Sequence, residues 1–333
     1  MNILVTGGTG FIGSHTTVEL LTMGHNVIVI DNLSNSSELV LHRIKEITGI
    51  EVKFYKIDLC DYEKIEEVFI KEYIEIVIHF AGLKAVGESC KIPLMYYQNN
   101  LISTLNLLDI MDKHNIKKII FSSSATVYGN PKEVPIKEEA PLSTLNPYGR
   151  TKLVIEDILR DLYASDSSWQ IVILRYFNPI GAHKSSLIGE APNGTPNNLL
   201  PYISIVAAGA IEQLCIYGND YDTCDGTGVR DYIHIIDLAR GHIKAVKKIQ
   251  EGLKGINVFN LGTGKGYSVL EVINAFEKVS GKYIKYSFTH RREGDIAICY
   301  ADCSKANKEL DWKAEYDIYD MCEDAWRWQC KKT

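Results

Sequence analysis

Several patterns that mark whole classes of protein are missing from these 333 residues. The eight cysteines form no Cys-x-x-Cys, and the closest pair, Cys299 and Cys303, has no second pair that would complete a zinc site. The nine histidines show no ligand spacing either, so we predict that the protein binds no metal. Scattered cysteines of this kind are typical of reduced thiols, which predicts a cytoplasmic protein.

Long apolar runs and long basic runs are missing as well. No apolar run reaches the length of a membrane span. A net charge of -6 without a basic stretch argues against a nucleic-acid-binding surface. A strand predicted to begin at Asn2 leaves no room for a secretory signal. We therefore expect a globular protein with neither membrane nor nucleic acid as partner, long enough to form two lobes.

The start of the chain shows the pattern of a dinucleotide-binding unit. Asn2–Thr6 and Asn26–Ile30 are predicted strands, and Ser14–Met23 is a predicted helix. The turn Gly7-Gly8-Thr9-Gly10-Phe11-Ile12-Gly13 lets backbone N–H groups approach a pyrophosphate at the helix N-terminus. Asp31 follows the second strand, where its carboxylate would accept bonds from the adenosine ribose and repel a 2′-phosphate. This favours NAD over NADP.

Strands and helices go on alternating as far as Tyr176. The further elements are the strands Glu51–Ile57, Glu75–Phe80, Lys117–Phe121 and Gln170–Tyr176 and the helices Asp61–Lys71, Pro93–His114 and Tyr148–Tyr163. This alternation predicts an α/β fold with a doubly wound parallel sheet, whose ligand lies beyond the strand C-termini. Asp58, the Phe80–Lys84 turn, Ser124 and Tyr148 fall at that edge.

The pattern changes after Asn178. Pro179–Leu199 is rich in Gly, Pro, Asn and Ser and is predicted to be a long binding loop. We predict a Rossmann domain over residues 1–177 and a smaller, mainly substrate-binding α/β lobe over residues 178–333. To that lobe we assign the helices Leu200–Ala210 and Ile235–Ile249, the strands Leu214–Tyr217 and Asn257–Leu261, and a helix opened by the capping box Ser268–Glu271.

A second candidate motif starts the helix after Asn146. Asn146 can cap this helix and Pro147 fits its first turn, so Tyr148 and Lys152 lie one turn apart on one face. A phenol has a reference pKa of about 10, but a nearby ammonium favours the phenolate and makes the pair a candidate base. Tyr128 and Lys132 share the spacing, but a proline between them interrupts the helical turn.

Longer blocks resemble the UDP-glucose 4-epimerase family of extended short-chain dehydrogenases/reductases. The resemblance runs from the first strand to the last helix, around Trp312 and Trp326, and implies a Rossmann fold that binds NAD. The blocks that carry it are Thr6–His15, His79–Ser89, Ser122–Gly129, Leu174–Gly181, Gly226–His234 and Arg291–Asp295.

The resemblance implies a mechanism. Tyr148 would take the proton of the sugar 4′-hydroxyl while C4′ passes a hydride to NAD. Lys152 would lower the tyrosine pKa and bond the nicotinamide ribose, and Ser124 would bond the same sugar hydroxyl and relay its proton. The 4-keto sugar would turn over and take hydride back on its other face, so that NAD is regenerated. Ala125 and Thr126 stand where family dehydratases carry an acid and a base.

The resemblance also implies which residues bind each ligand. The arginine fork suits a pyrophosphate, although each arginine alone could form a surface ion pair and each asparagine could satisfy loop backbone groups. The cofactor set is Gly7, Gly10, Phe11, Ile12, Asp31, Asn32, Asp58, Leu59, Phe80, Lys84, Asn99, Tyr148 and Lys152. The UDP-hexose set is Ser124, Asn178, Asn198, Leu199, Tyr217, Arg230, Arg292, Asp295 and Cys299, with Asn99 near both ligands.

Cys299 implies a broader substrate range. Family members with a tyrosine at the matching position handle UDP-glucose and UDP-galactose but exclude the 2-acetamido sugars, whereas members with a small residue accept both. We therefore expect interconversion of UDP-N-acetylglucosamine and UDP-N-acetylgalactosamine as well. A buried cysteine acting as a small hydrophobe would leave the same space.

The helices Pro93–His114 and Tyr148–Tyr163 predict a homodimer. They carry apolar residues over more than one face, and in the resembling family they pair across a two-fold axis. The alternative is burial under the chain's own loops. The apolar residues concerned include Leu105, Leu108, Leu153, Ile158 and Leu162.

Two other functions fit the same fold. One is a catalytically silent protein that binds NAD and a nucleotide sugar, since fold does not settle function. The other is a related nucleotide-sugar-modifying enzyme. Ser124, Tyr148 and Lys152 together favour the epimerase.

Overall fold

The computed structural model describes residues 1–191, 196, 198–292 and 294–332. Its strands are β1 Asn2–Thr6, β2 Asn26–Asp31, β3 Lys53–Lys56, β4 Ile76–His79, β5 Lys118–Ser124, β6 Gln170–Tyr176, β7 Asn178–Ile180, β8 Leu214–Tyr217, β9 Val229–His234, β10 Gly255–Leu261, β11 Gly266–Ser268, β12 Tyr286–Thr289 and β13 Ile298–Cys299. Its helices are α1 Phe11–Thr22, α2 Leu39–Thr48, α3 Tyr62–Lys71, α4 Val86–Lys91, α5 Pro93–Lys113, α6 Pro147–Ser165, α7 Leu199–Ala207, α8 Ile235–Gln250, α9 Val269–Ser280, α10 Ser304–Glu309 and α11 Ile318–Lys332, and a 3-10 helix spans Ala125–Tyr128.

The chain forms two compact units. Unit 1 comprises Met1–Asn130, Pro141–Tyr176 and Ala239–Phe259. Unit 2 comprises Pro131–Ala140, Phe177–Leu238 and Asn260–Thr333. The predicted boundary after residue 177 lies one residue beyond the change of unit after Tyr176, and two further segments cross it.

Unit 1 is built on a doubly wound sheet, as the alternating pattern predicted. Within the described residues seven strands follow the order β10-β6-β5-β4-β1-β2-β3. The pairs from β3 through β6 are parallel, so their carboxyl ends meet at one edge. Thr6 is in register with His79, and Ser124 with Tyr176, at that edge.

One strand lies elsewhere than expected. The sequence placed Asn257–Leu261 in the C-terminal lobe, but the corresponding β10 is the edge strand of the main sheet, next to β6. The chain therefore returns to unit 1 with most of α8 and β10 after a long segment in unit 2. A strand's own residues do not tell which sheet it joins.

Two α-helices of unit 1 were missed. The helix α2 begins after Glu38, which makes no side-chain capping bond, so the usual start signal is missing. The helix α4 spans Val86–Lys91 only, directly before α5, and is too short to show a helical period.

The hydrophobic core of unit 1 shows which apolar residues of α5 and α6 face the chain's own interior. Leu108 is 4% exposed and belongs to this core, while Ile158 and Leu162 pack against it, so these three serve the chain's own interior. Leu105, in contrast, is 48% exposed. On α5 the exposed apolar residues are Leu94, Met95, Ile102 and Leu105.

Unit 2 has a core of its own, around α7, α9 and α11. A small sheet runs β11-β9-β13, with β7 also paired to β9, and β12 pairs with β8. The predicted capping box is confirmed, because Ser268 and Glu271 exchange both bonds at the start of α9. Residues 192–195 and 197 of the predicted binding loop lie outside the described residues. Among the helices that are described, none combines the length and the apolar character needed to cross a membrane.

Candidate functional site

The turn between β1 and α1 has no space for a side chain at Gly7 or Gly13. Gly7 has φ +68°, and a Cβ on it would lie 2.8 Å from the Ala81 nitrogen. A Cβ on Gly13 would lie 2.2 Å from the Gly7 oxygen. Gly10 precedes α1 and makes no side-chain capping bond. The helix N-terminus is therefore bordered by backbone, which is the surface that a pyrophosphate needs.

Asp31 lies at the end of β2 and is tied to this turn. Its Oδ2 accepts a hydrogen bond from the Thr9 amide at 3.1 Å. Its Oδ1 accepts bonds from the Leu33 amide at 2.9 Å and from the Ser36 hydroxyl at 3.2 Å. The carboxylate is thus fixed beside the glycine turn, at the position predicted for a ribose-binding acid.

Asn32 and Asp58 bring the ends of two neighbouring strands together. Asn32 Nδ2 donates to Asp58 Oδ2 at 2.9 Å, and the Cys60 amide donates to Asp58 Oδ1 at 2.8 Å. Burial would raise the pKa of Asp58, but these hydrogen bonds outweigh it and bring the pKa below its usual value. Leu59 is buried, and its carbonyl accepts a bond from Asn106 at 3.1 Å.

The turn after β4 is held by Asn100, a residue that the sequence analysis did not single out. Asn100 Oδ1 accepts from the Leu83 amide at 2.7 Å, and its Nδ2 donates to the Leu83 carbonyl at 3.0 Å. The same Nδ2 donates to Thr151 Oγ1 on α6 at 3.1 Å. Asn100 therefore connects this turn to the helix of Tyr148. The one sequence feature that could have indicated Asn100 is that it directly follows Asn99, which was predicted to lie near both ligands.

The remaining residues expected around the cofactor in this region are Phe80, Lys84 and Asn99. The Phe80 ring packs on the buried His242 of α8, with ring centres 4.8 Å apart. Asn99 Nδ2 donates to Asn100 Oδ1 at 3.0 Å. Lys84 is exposed at the end of the same turn.

The helix α6 starts as its sequence predicted. Asn146 Oδ1 accepts from the Gly149 amide at 2.8 Å, and Pro147 occupies the first turn. Tyr148 thus lies in the first turn of the helix.

Ser124 is oriented to donate to Tyr148. Its Oγ accepts bonds from the Thr126 amide at 3.2 Å and from Thr126 Oγ1 at 3.0 Å. The hydroxyl hydrogen of Ser124 is therefore left for the Tyr148 oxygen, to which the serine is hydrogen-bonded. Thr126 therefore orients the Ser124 hydroxyl. The sequence had identified Thr126 only as a residue that cannot act as an acid or a base.

The pKa of Tyr148 differs from what the sequence led us to expect. Burial raises it above its usual value, and the hydrogen bond donated by Ser124 offsets part of that rise. Lys152 is not among the causes of this rise, so the lowering of the Tyr148 pKa that we expected from it stays a prediction for the complex with cofactor and substrate.

Lys152 is 5% exposed and is held by the end of β5. Its Nζ donates to the Ser122 carbonyl at 2.7 Å and lies 4.8 Å from the centre of the Phe121 ring. Burial lowers its pKa to about 8, while the charge of Glu156 raises it. Lys152 is therefore mainly an ammonium at neutral pH.

His79 lies at the end of β4, close enough to Lys152 for the lysine charge to lower its pKa. Its Nδ1 is 2.8 Å from Thr6 Oγ1, and its Nε2 is 3.0 Å from Thr104 Oγ1. Burial first, and the charge of Lys152 second, lower its pKa to about 3. The imidazole is therefore neutral and holds two strands and α5 together.

In unit 2, a second group of residues predicted to bind ligand surrounds Arg230. Arg230 on β9 pairs with Asp295 at 3.2 Å and donates to the Val229 carbonyl at 2.9 Å. Cys299 on β13 is the Cα partner of Arg230, and Asn178 on β7 is the partner of Tyr232, two residues along β9.

The other residues predicted to bind the nucleotide sugar lie on neighbouring segments of unit 2. The Arg292 guanidinium lies 3.8 Å from the centre of the Tyr217 ring. The Arg292 carbonyl accepts a hydrogen bond from the Asp295 amide at 3.2 Å. Asn198 and Leu199 lie at the start of α7, where Asn198 Nδ2 donates to Glu190 at 2.5 Å.

The doubly wound sheet, the glycine turn and the helix that carries Tyr148 and Lys152 define an extended short-chain dehydrogenase/reductase. A sequence model of the family described as GDP-mannose 4,6 dehydratase matches residues 4–325. UDP-glucose 4-epimerase of Bacillus subtilis (strain 168) is 60% identical over 99% of this chain and 97% of its own length. The chain belongs to the UDP-glucose 4-epimerase family.

Solved structures agree in fold. The crystal structure of UDP-glucose 4-epimerase from Bifidobacterium longum in complex with NAD⁺ and UDP has a TM-score of 0.97 and 58% identity, covering 99% of this chain and 98% of that one. The enzyme from Stenotrophomonas maltophila, with bound NAD and formylated UDP-arabinopyranose, has a TM-score of 0.97 and 49% identity, covering 100% and 98%. The predicted fold class is confirmed.

Proposed function

We propose that this protein interconverts UDP-glucose and UDP-galactose by NAD-dependent epimerisation at C4 of the sugar. The observation that carries the proposal is the arrangement at the end of β5, where Ser124 is hydrogen-bonded to Tyr148 and the Ser122 carbonyl holds Lys152. A phenol, a hydroxyl that donates to it and a buried ammonium are the groups needed to move one sugar proton.

The residues of unit 1 fit NAD. The glycine turn offers backbone at Gly7 and Gly13, where a Cβ would collide, and Asp31 is fixed beside the turn to accept ribose hydroxyls. When bound, NAD supplies the reversible oxidation of the sugar at C4. We propose that Asn32, Asp58 and the Phe80–Lys84 turn border the same cofactor, together with Gly10, Phe11, Ile12, Leu59 and Asn99.

In the proposed mechanism the chain's own groups manage a single proton. The phenolate of Tyr148 takes the proton of the 4′-hydroxyl and becomes a neutral phenol. The hydrogen bond from Ser124 stabilises the phenolate before this transfer. Lys152 supplies a positive charge close to this site, which lowers the cost of a buried anion. Tyr148 returns the proton after the 4-keto sugar has turned over, so the cycle consumes no proton.

We propose that unit 2 binds the UDP part. Arg230 and Arg292 would hold the diphosphate, since a guanidinium bonds two oxygens at once. Asp295 already orients Arg230, and the Tyr217 ring supports Arg292. The remaining residues of the proposed set are Asn178, Asn198, Leu199 and Cys299.

We further propose that the 2-acetamido pair of substrates is accepted. Cys299 is buried beside Arg230, and a thiol occupies much less volume than the phenol that excludes these sugars in other family members. The space next to the diphosphate group is then sufficient for an N-acetyl group.

We propose a cytoplasmic location, which the scattered cysteines favour.

We also propose a homodimer formed through α5. Leu94 is 74% exposed, and Met95, Ile102 and Leu105 are 43–51% exposed, which is an apolar surface that a second copy could cover. Light scattering on Leu105→Asp should show a monomer. Ile70→Asp, at a 71% exposed apolar site on α3, should remain dimeric. A monomeric unmutated protein would refute the pairing.

The epimerase itself is tested with UDP-galactose and no added cofactor. The purified protein should form UDP-glucose, and denaturing it should release NAD. Binding of UDP-galactose without any product, even with NAD supplied, would favour the catalytically silent alternative.

A further inference from the structure

Glu156 lies one helical turn beyond Lys152 on α6. Tyr148, Lys152 and Glu156 thus recur every four residues along one face of the helix. The Glu156 side chain is 0% exposed. A carboxylate is buried at large cost unless it is paired and hydrogen-bonded.

Each oxygen of Glu156 has such partners. Arg175 on β6 donates to Oε1 through Nε at 3.0 Å and to Oε2 through Nη2 at 2.7 Å. Ser123 donates to Oε1 at 2.6 Å, and Arg160 donates to Oε2 at 2.9 Å. Burial would raise the pKa of Glu156, but the bonds and charge of Arg175 outweigh it and keep the pKa below its usual value. Glu156 is therefore an anion at neutral pH.

The end of β5 contacts this whole face of α6. Three successive serines of β5 each contact one of the three residues on this face. Two of them do so through the side chain and one through the backbone carbonyl. The contacts are Ser124 with Tyr148, Ser122 with Lys152 and Ser123 with Glu156.

We propose that Glu156 is a positioning residue for the catalytic pair: with Ser123 and Arg175 it fixes the face of α6 that carries Tyr148 and Lys152, and it places a negative charge one helical turn from the Lys152 ammonium. This inference rests on the proposed function.

The other titratable groups considered on α6, β4 and β6 do not supply that charge. His79, from β4, is neutral because burial lowers its pKa to about 3. Tyr148, on the same helix, is neutral in the chain without ligands because burial raises its pKa. Arg175, from β6, is a cation turned to Glu156. Among these groups, Glu156 is the anion that acts on Lys152.

The test is the pH dependence of kcat in Glu156→Gln, purified with its cofactor. Glutamine keeps the shape and can still accept from Ser123, but it carries no charge. We expect a lower kcat at similar KM and an alkaline limb shifted down by about one pH unit, because Lys152 loses its proton at lower pH. Ser123→Ala removes one hydrogen bond and leaves the charge, so it should lower kcat without moving the limb.

A matched control lies one residue along the helix. Asp157 also pairs with Arg160, at 3.0 Å, but its side chain is 64% exposed. Asp157→Asn should leave both kcat and the alkaline limb unchanged.

A double variant guards against a folding defect. Glu156→Leu with Arg175→Met replaces the ion pair as a unit, an exchange that buried pairs often tolerate, and it should show the same shift. An unmoved alkaline limb in either folded variant overturns the inference. Near wild-type turnover in a parallel Tyr148→Phe variant would instead overturn the assignment of the base in the proposed function.

Discussion

Cys299 of β13 and Arg230 of β9 are Cα partners across two parallel strands. The thiol is 9% exposed, and burial raises its pKa to about 11, so it is a small neutral group at physiological pH. We propose that the size of this side chain, beside an arginine proposed for the diphosphate, sets how much space remains for the sugar.

Cys299→Tyr should therefore change the substrate range. The phenol fills the space of the N-acetyl group, so turnover of UDP-N-acetylgalactosamine should be abolished while turnover of UDP-galactose is kept. Cys299→Ala is the matched small variant and should turn over both. Product formation measured for each sugar decides the matter. If the unmutated enzyme cannot turn over UDP-N-acetylgalactosamine, the size argument fails.

Tyr148→Phe should lower kcat by about 10²–10⁴-fold, because it removes the acid–base hydroxyl and leaves the ring in place. Binding of UDP, measured by calorimetry, should be largely kept. A variant with near wild-type turnover would assign the proton transfer to another group.

Gly13→Ala should impair retention of the cofactor. Its Cβ would lie 2.2 Å from the Gly7 oxygen and 2.8 Å from the Gly8 Cα, so the glycine turn must shift. NAD released per chain on denaturation should fall sharply. Gly87→Ala is the control, since Gly87 lies in α4 with no atom within 4 Å of an added Cβ. Equal NAD content in the two variants would contradict the proposed position of the pyrophosphate.

His79 should make stability depend on pH. Its pKa is 6.5 in the unfolded chain and about 3 in the fold, so the unfolded state binds more protons between these values. The contribution is complete above pH 6.5 and is lost as the pH falls, by about 1.4 kcal/mol per unit. Urea unfolding should show a loss of about 2 kcal/mol between about pH 6.5 and about pH 5. That part of the slope should be missing in His79→Gln, and identical slopes would refute the assignment.

Local signals in the sequence predicted much of unit 1. The strands β1 and β6 occur with the predicted bounds, because runs of Val, Ile and Leu buried on both faces are typical of parallel strands. The caps at Asn146 and Ser268 were visible because a capping side chain bonds a backbone group three residues away.

Features that depend on distant residues were not visible. Glu156 meets Arg175 only when α6 packs on β6, and Lys152 bonds a backbone carbonyl, which leaves no trace in residue type. The raised pKa of Tyr148 depends on burial rather than on the spacing to its lysine. Asn100 holds the turn at Leu83, seventeen residues before it in the chain, through a hydrogen bond from the Leu83 amide.

The edge position of β10 determines when the main sheet can finish folding during synthesis. The neighbour of β6 is encoded after the whole segment Phe177–Leu238, so the main sheet cannot be completed until Phe259 has left the ribosome. Until then β6 presents unpaired backbone groups, which attract other strands. A nascent or truncated chain that stops near Tyr176 is therefore prone to aggregate, and the cofactor-binding half cannot be excised as a contiguous fragment.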